Sequence, residues 1–358
     1  MLVLGANDVC DLLDKHETLR RSFPQLLSIR DLDKFINQAV NKDVVERSAS
    51  ALSEAKTIVN VFVPTKAYSK AWNILNKHNF VALEGPPEVG KTAIAWMIGL
   101  SLLSNGWESL VCDTPDDFFR QYVSESEQVF IADDAFGRTE YDPTRGKEWE
   151  RLFARVVGRL DKKHWLIWTS RKYILERAMK SIDLQGQSRE LPNTSAVLVD
   201  AGDLSLNEKA LMLYRHARAL HLEEKSKNIL RKTAVMIINN SSFTPERIRR
   251  FVIEVLPELA HNIDDLSNEN VELLRVEIKK AIETPTDRMK KTFDILSEHH
   301  KLLLMLLLES ENNTTLETLG SKYSKQILSL ESNGPKFEDV IDELSESFIR
   351  IADVRGIL

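Results

Sequence analysis

Cysteine is nearly missing: only Cys10 and Cys112 occur in 358 residues. With no C-x-x-C pair and no Cys/His cluster, a disulfide scaffold and a zinc site are both excluded, and a reducing compartment fits. Long apolar runs are missing as well. The longest, Leu302 to Leu308, is far below the roughly 18 residues needed to span a bilayer. Met1-Leu2-Val3-Leu4 is too short for a signal peptide and has no basic leader, so a cytoplasmic location without membrane association is expected. There is no excess of positive charge either. Lys and Arg number 48 against 54 Asp and Glu, a net charge of −6, which leaves no overall basic footprint for nucleic acid. What remains is 43% hydrophobic and 28% charged, the balance of a soluble globular protein. The length suits two or three domains.

Against that background one stretch carries specific chemistry: Gly85-Pro86-Pro87-Glu88-Val89-Gly90-Lys91-Thr92. It follows the apolar run Phe80-Val81-Ala82-Leu83 and precedes a helix-forming segment from Ala93 to Leu103, giving strand, glycine loop and helix. The loop reads G-x-x-x-x-G-K-T. Two glycines let the backbone curl so that successive N–H groups point at phosphate oxygens. Lys91 adds a point charge for the β- and γ-phosphates, Thr92 offers a hydroxyl to Mg²⁺, and the helix beginning near Ala93 contributes its positive end. Glu88 is unwelcome beside phosphate, so its side chain is expected to face solvent while its backbone helps form the cradle.

Later strands supply the partners this loop requires. Val129-Phe130-Ile131-Ala132 reads as a buried strand ending in Asp133-Asp134, and charged residues at the carboxyl end of a parallel strand face the ligand crevice. Asp133 is the candidate for the Mg²⁺ site and Asp134 for orienting the attacking water. Trp165-Leu166-Ile167-Trp168 runs into Thr169-Ser170-Arg171, where Arg171 can reach a γ-phosphate from the side opposite Lys91. Trp107 to Cys112 and Ala196 to Val199 complete five strands. Helices are expected over Tyr68 to Lys77, Asp116 to Val123 and Lys147 to Asp161, with a polar loop at Tyr141-Asp142-Pro143. Strands and helices in alternation predict an α/β fold whose parallel sheet is covered on both faces.

The flanks are helical. Residues 1–60 read as helices, Asp31 to Val40 and Asp43 to Lys56 among them, forming either an arm packed on the next domain or a separate adaptor. The P-loop domain takes residues 61–203. Val63 and Pro64 sit where the chain can pass a bound base, or form a plain strand-to-helix corner. Over 204–283 an all-α lid is expected. Ser205 and Glu208 form an S-x-x-E capping box for Leu206 to Leu220, a further helix covers Lys225 to Asn239, and Thr244-Pro245 opens Glu246 to Val255. Pro245 can touch the base and Arg247 the phosphates, or the two can be simple helix-start residues. Residues 284–358 run helix, helix, helix, strand: Ser297 to Glu309, Thr315 to Tyr323, Phe337 to Ser347 and Phe348 to Ile351. That is the order of a winged helix one wing strand short, so the end at Leu358 reads as an interruption. Its third helix carries Glu338, Asp339, Asp342, Glu343 and Glu346. Phosphate contact needs the opposite charge, so DNA reading by this helix is not expected.

The assembled residues resemble a STAND-class P-loop NTPase, most closely the novel-STAND clade of bacterial multidomain proteins. The resemblance rests on GPPEVGKT, on Phe130 to Gly137 (FIADDAFG), on Trp168-Thr169-Ser170-Arg171, on Leu206 to Tyr214 (LNEKALMLY), and on Thr244-Pro245-Glu246-Arg247. It covers roughly residues 60 to 350. It implies ATP and ADP with Mg²⁺, slow hydrolysis, and a nucleotide domain, lid and winged helix acting as one switch. It further implies nucleotide-driven self-assembly and, commonly, a place in bacterial antiphage defence. Asp134 stands where related motor ATPases often carry Glu, and the shorter arm would hold water less closely. No repeat sensor follows Leu358 and no recognisable effector precedes residue 60, so trigger and output do not carry over. Two other readings follow from the same residues. One is a nucleic-acid-binding winged-helix regulator with an assembly ATPase, and the other is a scaffold with a vestigial site.

Overall fold

Strands buried on both faces of a sheet have no reason to alternate, and the central strands here are apolar almost throughout. In the computed structural model, β1 (Phe80–Glu84), β2 (Glu108–Val111), β3 (Gln128–Ala132), β4 (His164–Thr169) and β5 (Leu198–Asp200) form one sheet in the order β2-β3-β4-β1-β5. Every pairing is parallel, with Phe80 opposite Leu166, Ala132 opposite Trp168 and Glu84 opposite Asp200. The structure describes residues 16–24, 47–138, 141–181, 194–262, 268–283, 293–294, 296–310, 314–330, 335–344 and 349. The expected helix Asp31 to Val40 lies outside these, as does all of the expected strand Phe348 to Ile351 except Ile349.

Sequence neighbours β1 and β2 are separated in the sheet by β4 and β3. Open α/β sheets bind ligands at the carboxyl ends of strands where the order reverses in this way. Here β4 stands between β1, which leads into the glycine loop, and β3, which leads into Asp133. The chain crosses from β1 to β2 through the helix Lys91–Leu103, which is buried on nearly every side. Gly99 lets that helix approach the sheet: a Cβ there would lie 2.4 Å from Ser109 Oγ and 2.9 Å from Ile131 Cδ1. All six tryptophans of the sequence, at 72, 96, 107, 149, 165 and 168, belong to the apolar core around this sheet.

Several boundaries differ from expectation for local reasons. The fifth strand was expected over Ala196 to Val199, but residues Thr194–Val197 make a helical turn and pairing starts at Leu198. A short apolar run does not distinguish the two. Tyr141-Asp142-Pro143 is not a loop leading to a helix at Lys147. The Asp142 carboxylate accepts N–H bonds from Thr144 (2.8 Å) and Arg145 (3.2 Å), so the helix runs from Pro143 to Val157. This is an N-cap followed by proline at the first helical position. The helix before β1 covers Lys66–His78 and the one after β2 Pro115–Gln121; of the expected Asp43 to Lys56, residues 43–46 lie outside the described residues and the rest contributes to the helix Ala49–Ile58.

A second apolar core lies among the helices Leu206–Ala219, Glu224–Ile238, Pro245–Arg250, Leu256–Asn262 and Asn268–Glu283. Ser205 and Glu208 form the expected capping box, and Glu208 Oε1 also accepts the Lys66 backbone N–H at 2.6 Å. The helix opened by Thr244-Pro245 does not stop at Val255. It passes through a π-helical turn, Phe251–Val255, and continues to Asn262. A third core joins Glu298–Glu309, Leu316–Leu330 and Phe337–Leu344. The middle of these helices is longer than the expected Thr315 to Tyr323. Glu343 and Asp339 of the last helix meet Arg177 of the helix Lys172–Ser181 at 3.0 and 3.8 Å, and His300 Nε2 lies 2.8 Å from the other Glu343 oxygen. The acidic helix is therefore turned toward a counter-charge on the sheet domain. Among the described residues there are three helices in this region and no paired wing strand. No helix among the described residues is long and apolar enough to cross a membrane.

Candidate nucleotide site

Gly85 and Gly90 have φ of +138° and +96°, values that side-chain-bearing residues avoid, and these two positions bend the chain into a loop. Lys91 Nζ donates to the carbonyls of Gly85 (2.8 Å) and Pro86 (2.7 Å), bracing the loop across its mouth. Gly90 is the N-cap of the following helix, so the helix's positive end opens beneath the loop.

The strand ends converge as their order requires. Thr92 Oγ1, in the first turn of the helix Lys91–Leu103, donates to Asp133 Oδ1 at 2.8 Å, bringing the start of that helix to the end of β3. Thr169, at the end of β4, donates to the same Asp133 oxygen at 2.6 Å and accepts the Asp134 backbone N–H at 2.9 Å. One threonine thus holds both aspartates, a role unassigned from the sequence. Asp134 takes a left-handed backbone (φ 48°), which aspartate tolerates, and its carboxylate lies 3.8 Å from Arg138 Nε. Arg171 is buried at 6% exposure, two residues beyond Thr169.

A cavity of about 310 Å³ gathers these groups. It is lined by the loop from Pro87 through Ala93, by Asp134, Arg138 and Arg171, and by the apolar Ile58, Val61, Phe62, Val63 and Met212. Pro245 lies over the loop, its Cγ 3.9 Å from where a Cβ on Gly90 would be. Pro245, Glu246, Arg249 and His216 bring the second helical core into the same lining. Gly85, Pro86, Pro64, Asp133 and Arg247 stand behind the lining rather than in it.

Two expectations about charge change here. The Glu88 side chain does not face solvent: it is 2% exposed and pairs with Arg247 Nε at 3.6 Å. A buried carboxylate needs such a partner, and the lid supplies it. Arg247 correspondingly turns toward Glu88 and the Ile282 carbonyl (3.1 Å), away from the cavity. The lid residues His216, Glu246 and Arg249, along with Met212, were not singled out from sequence. The only available signal was their position on the expected lid helices.

Residues 62–219 match the family model described as Novel STAND NTPase 3. The STAND match spans the glycine loop, both aspartates, Arg171 and the first lid helix, and falls on the class that the sequence resembles. No curated protein matches the chain. Among solved structures it is similar to domain III of the replication initiation protein DnaA from Thermotoga maritima. That likeness has 15% identity and a TM-score of 0.40, and covers 62% of this chain and 95% of that one. It is also similar to a RuvB variant from Thermotoga maritima, at 17% identity and TM-score 0.41 over 77% and 85% of the two chains. A Walker-type ATPase of Pyrococcus abyssi shares 15% identity at TM-score 0.48, over 80% and 89%.

Burial pushes His216 down from an ordinary value of 6.5 to about 4, with the Arg249 charge adding to the shift and Glu246 opposing it. His216 is therefore neutral at pH 7. Between pH 6.5 and 4 the unfolded chain binds a proton that the folded lid refuses, so folding stability falls as pH drops through that window. The loss from pH 7 to 4.5 is expected to be roughly 2–3 kcal/mol. Urea denaturation of the protein and of His216→Phe at both pH values checks it, because the variant should lack this part of the acid sensitivity.

Proposed function

We propose that the chain binds ATP and ADP with Mg²⁺, hydrolyses ATP slowly, and uses the difference to switch conformation and self-association. The observation that carries this is the convergence of Thr92 and Asp133 at 2.8 Å beside the glycine loop. A hydroxyl and one carboxylate suit a hard cation that takes its other ligands from phosphate oxygens and water. Among the described residues no group of three or more His, Cys, Asp or Glu could hold a metal alone, so such an ion would depend on the nucleotide. When bound, Mg²⁺ supplies charge neutralisation between the phosphates.

The roles of the protein's own groups follow from their placement. Backbone N–H groups from Gly85 to Ala93 cradle phosphate, and Lys91 leaves its loop carbonyls for phosphate oxygens. Asp134 orients the attacking water, held by Thr169. Arg171 supplies charge to the departing phosphoryl group. Residues 1–60 are read as a helical arm, 61–203 as the nucleotide domain, 204–283 as the lid and 284–358 as a winged-helix unit, with a role in bacterial defence or signalling. The regulator that reads DNA gains no support, since Asp339 and Glu343 face Arg177.

Titration calorimetry with ATP and ADP, each with Mg²⁺, tests the first step. Lys91→Ala removes a charge-assisted contact and is expected to weaken ATP binding roughly 10- to 100-fold. Equal, tight binding by both proteins would overturn the assignment.

A further inference from the structure

Part of the cavity lining is apolar. Ile58 of the N-terminal helix, Val61 to Val63 and Met212 of the first lid helix form that part. Phosphate has no use for such a surface, whereas a planar heteroaromatic base fits it. A base also carries a polar edge that needs partners when it is withdrawn from water.

Besides Glu54, Thr65 and Glu246, the polar groups lining the cavity beside these residues are Thr57, Arg249 and His216. Thr57 Oγ1 donates to the Glu54 carbonyl at 2.8 Å. Arg249 spends Nε and Nη2 on Glu246, at 2.8 and 2.7 Å. His216 differs from both. It is 8% exposed, lines the cavity, and makes no hydrogen bond among the described residues. It stands four residues after Met212, on the same face of the helix. Kept neutral by burial, its ring offers one donor and one acceptor. A largely buried imidazole that lines the cleft, with no side-chain hydrogen bond among the described residues, is a group whose hydrogen bonds a ligand can complete.

From this geometry we infer that His216 is a base-contacting residue, hydrogen-bonding the polar edge of a purine held between Val63 and Met212. The inference rests on the nucleotide reading of the same cavity and extends it to the lid. A lid helix that touches the base closes only over a complete nucleotide, so His216 ties lid position to occupancy rather than to phosphate alone.

The test compares two ligands that share the phosphate end. Binding of ATP and of inorganic tripolyphosphate, each with Mg²⁺, is measured for the unaltered protein and for His216→Ala, His216→Phe and His216→Gln. Both Ala and Phe substitutions are expected to weaken ATP roughly tenfold and to leave tripolyphosphate within twofold. His216→Gln, which keeps a donor and an acceptor, should recover part of the loss. Unchanged ATP affinity in both the Ala and Phe variants, or equal losses for the two ligands, would overturn the inference while leaving phosphate binding intact. No binding of either ligand by the unaltered protein would bring down the nucleotide reading, and this inference with it.

Discussion

Arg171→Ala should lower ATP turnover a hundredfold or more while ADP affinity stays within about twofold. Losing one donor that stabilises a transition-state charge typically costs about 3–4 kcal/mol. Arg171 is placed for that role: it follows β4, lines the same cavity as Lys91 and Asp134, and is 6% exposed. On the proposed reading the loop backbone and Lys91 hold the two phosphates that ADP keeps, so its affinity should survive. Arg171→Lys should not restore the rate, because a point charge lacks the planar fork. Steady-state phosphate release, with ADP titrations alongside, reads both quantities. Unchanged turnover would return Arg171 to a structural place at the strand end.

Trp168→Ala should destabilise the sheet domain by about 3–5 kcal/mol, the cost of removing a large buried aromatic. Trp168 is fully buried, and its ring centroid lies 4.9 Å from those of Phe80, Phe136 and Trp149 and 4.8 Å from that of Phe153. These four come from β1, from the turn after Asp134 and from the helix Pro143–Val157. The cavity left by alanine would therefore open on every side at once. Trp168→Phe should cost markedly less, since it refills much of the volume and removes an indole N–H that has no hydrogen-bond partner. Because Thr169 and Arg171 follow directly, the alanine variant should lose ATPase activity together with its fold. Denaturant melts of the two variants separate packing loss from site loss.

The glycine loop, the Asp133-Asp134 pair and Arg171 were legible because each is a local pattern: an apolar run followed by a chemical group at its end. So were the caps at Ser205 and Thr244, whose partners lie three residues away. What escaped depends on contacts across the fold. Glu88 was read as solvent-facing because Arg247 is 159 residues distant in sequence and only the lid brings it near. Thr169 serves as a strut because β4 inserts between β1 and β3, an order that no single strand announces. His216 looks like any polar residue on a helix until the fold places it in one cavity with Ile58 and Val61 to Val63. Asp142-Pro143, by contrast, carried a readable helix-start signal behind the tyrosine.

The clustering of all six indoles in the sheet core also determines what light can report about this molecule. Tryptophan emission comes entirely from the sheet domain. The lid helices and the three C-terminal helices, which hold none, are dark to it. Trp96 alone among the six lines the cavity, so a ligand-dependent change in emission reads the pocket through that residue. Lid motion and docking of the acidic helix on Arg177 call for a separate dye, placed on an exposed position such as Val235 or Met305. The two signals then time events at the nucleotide and away from it independently.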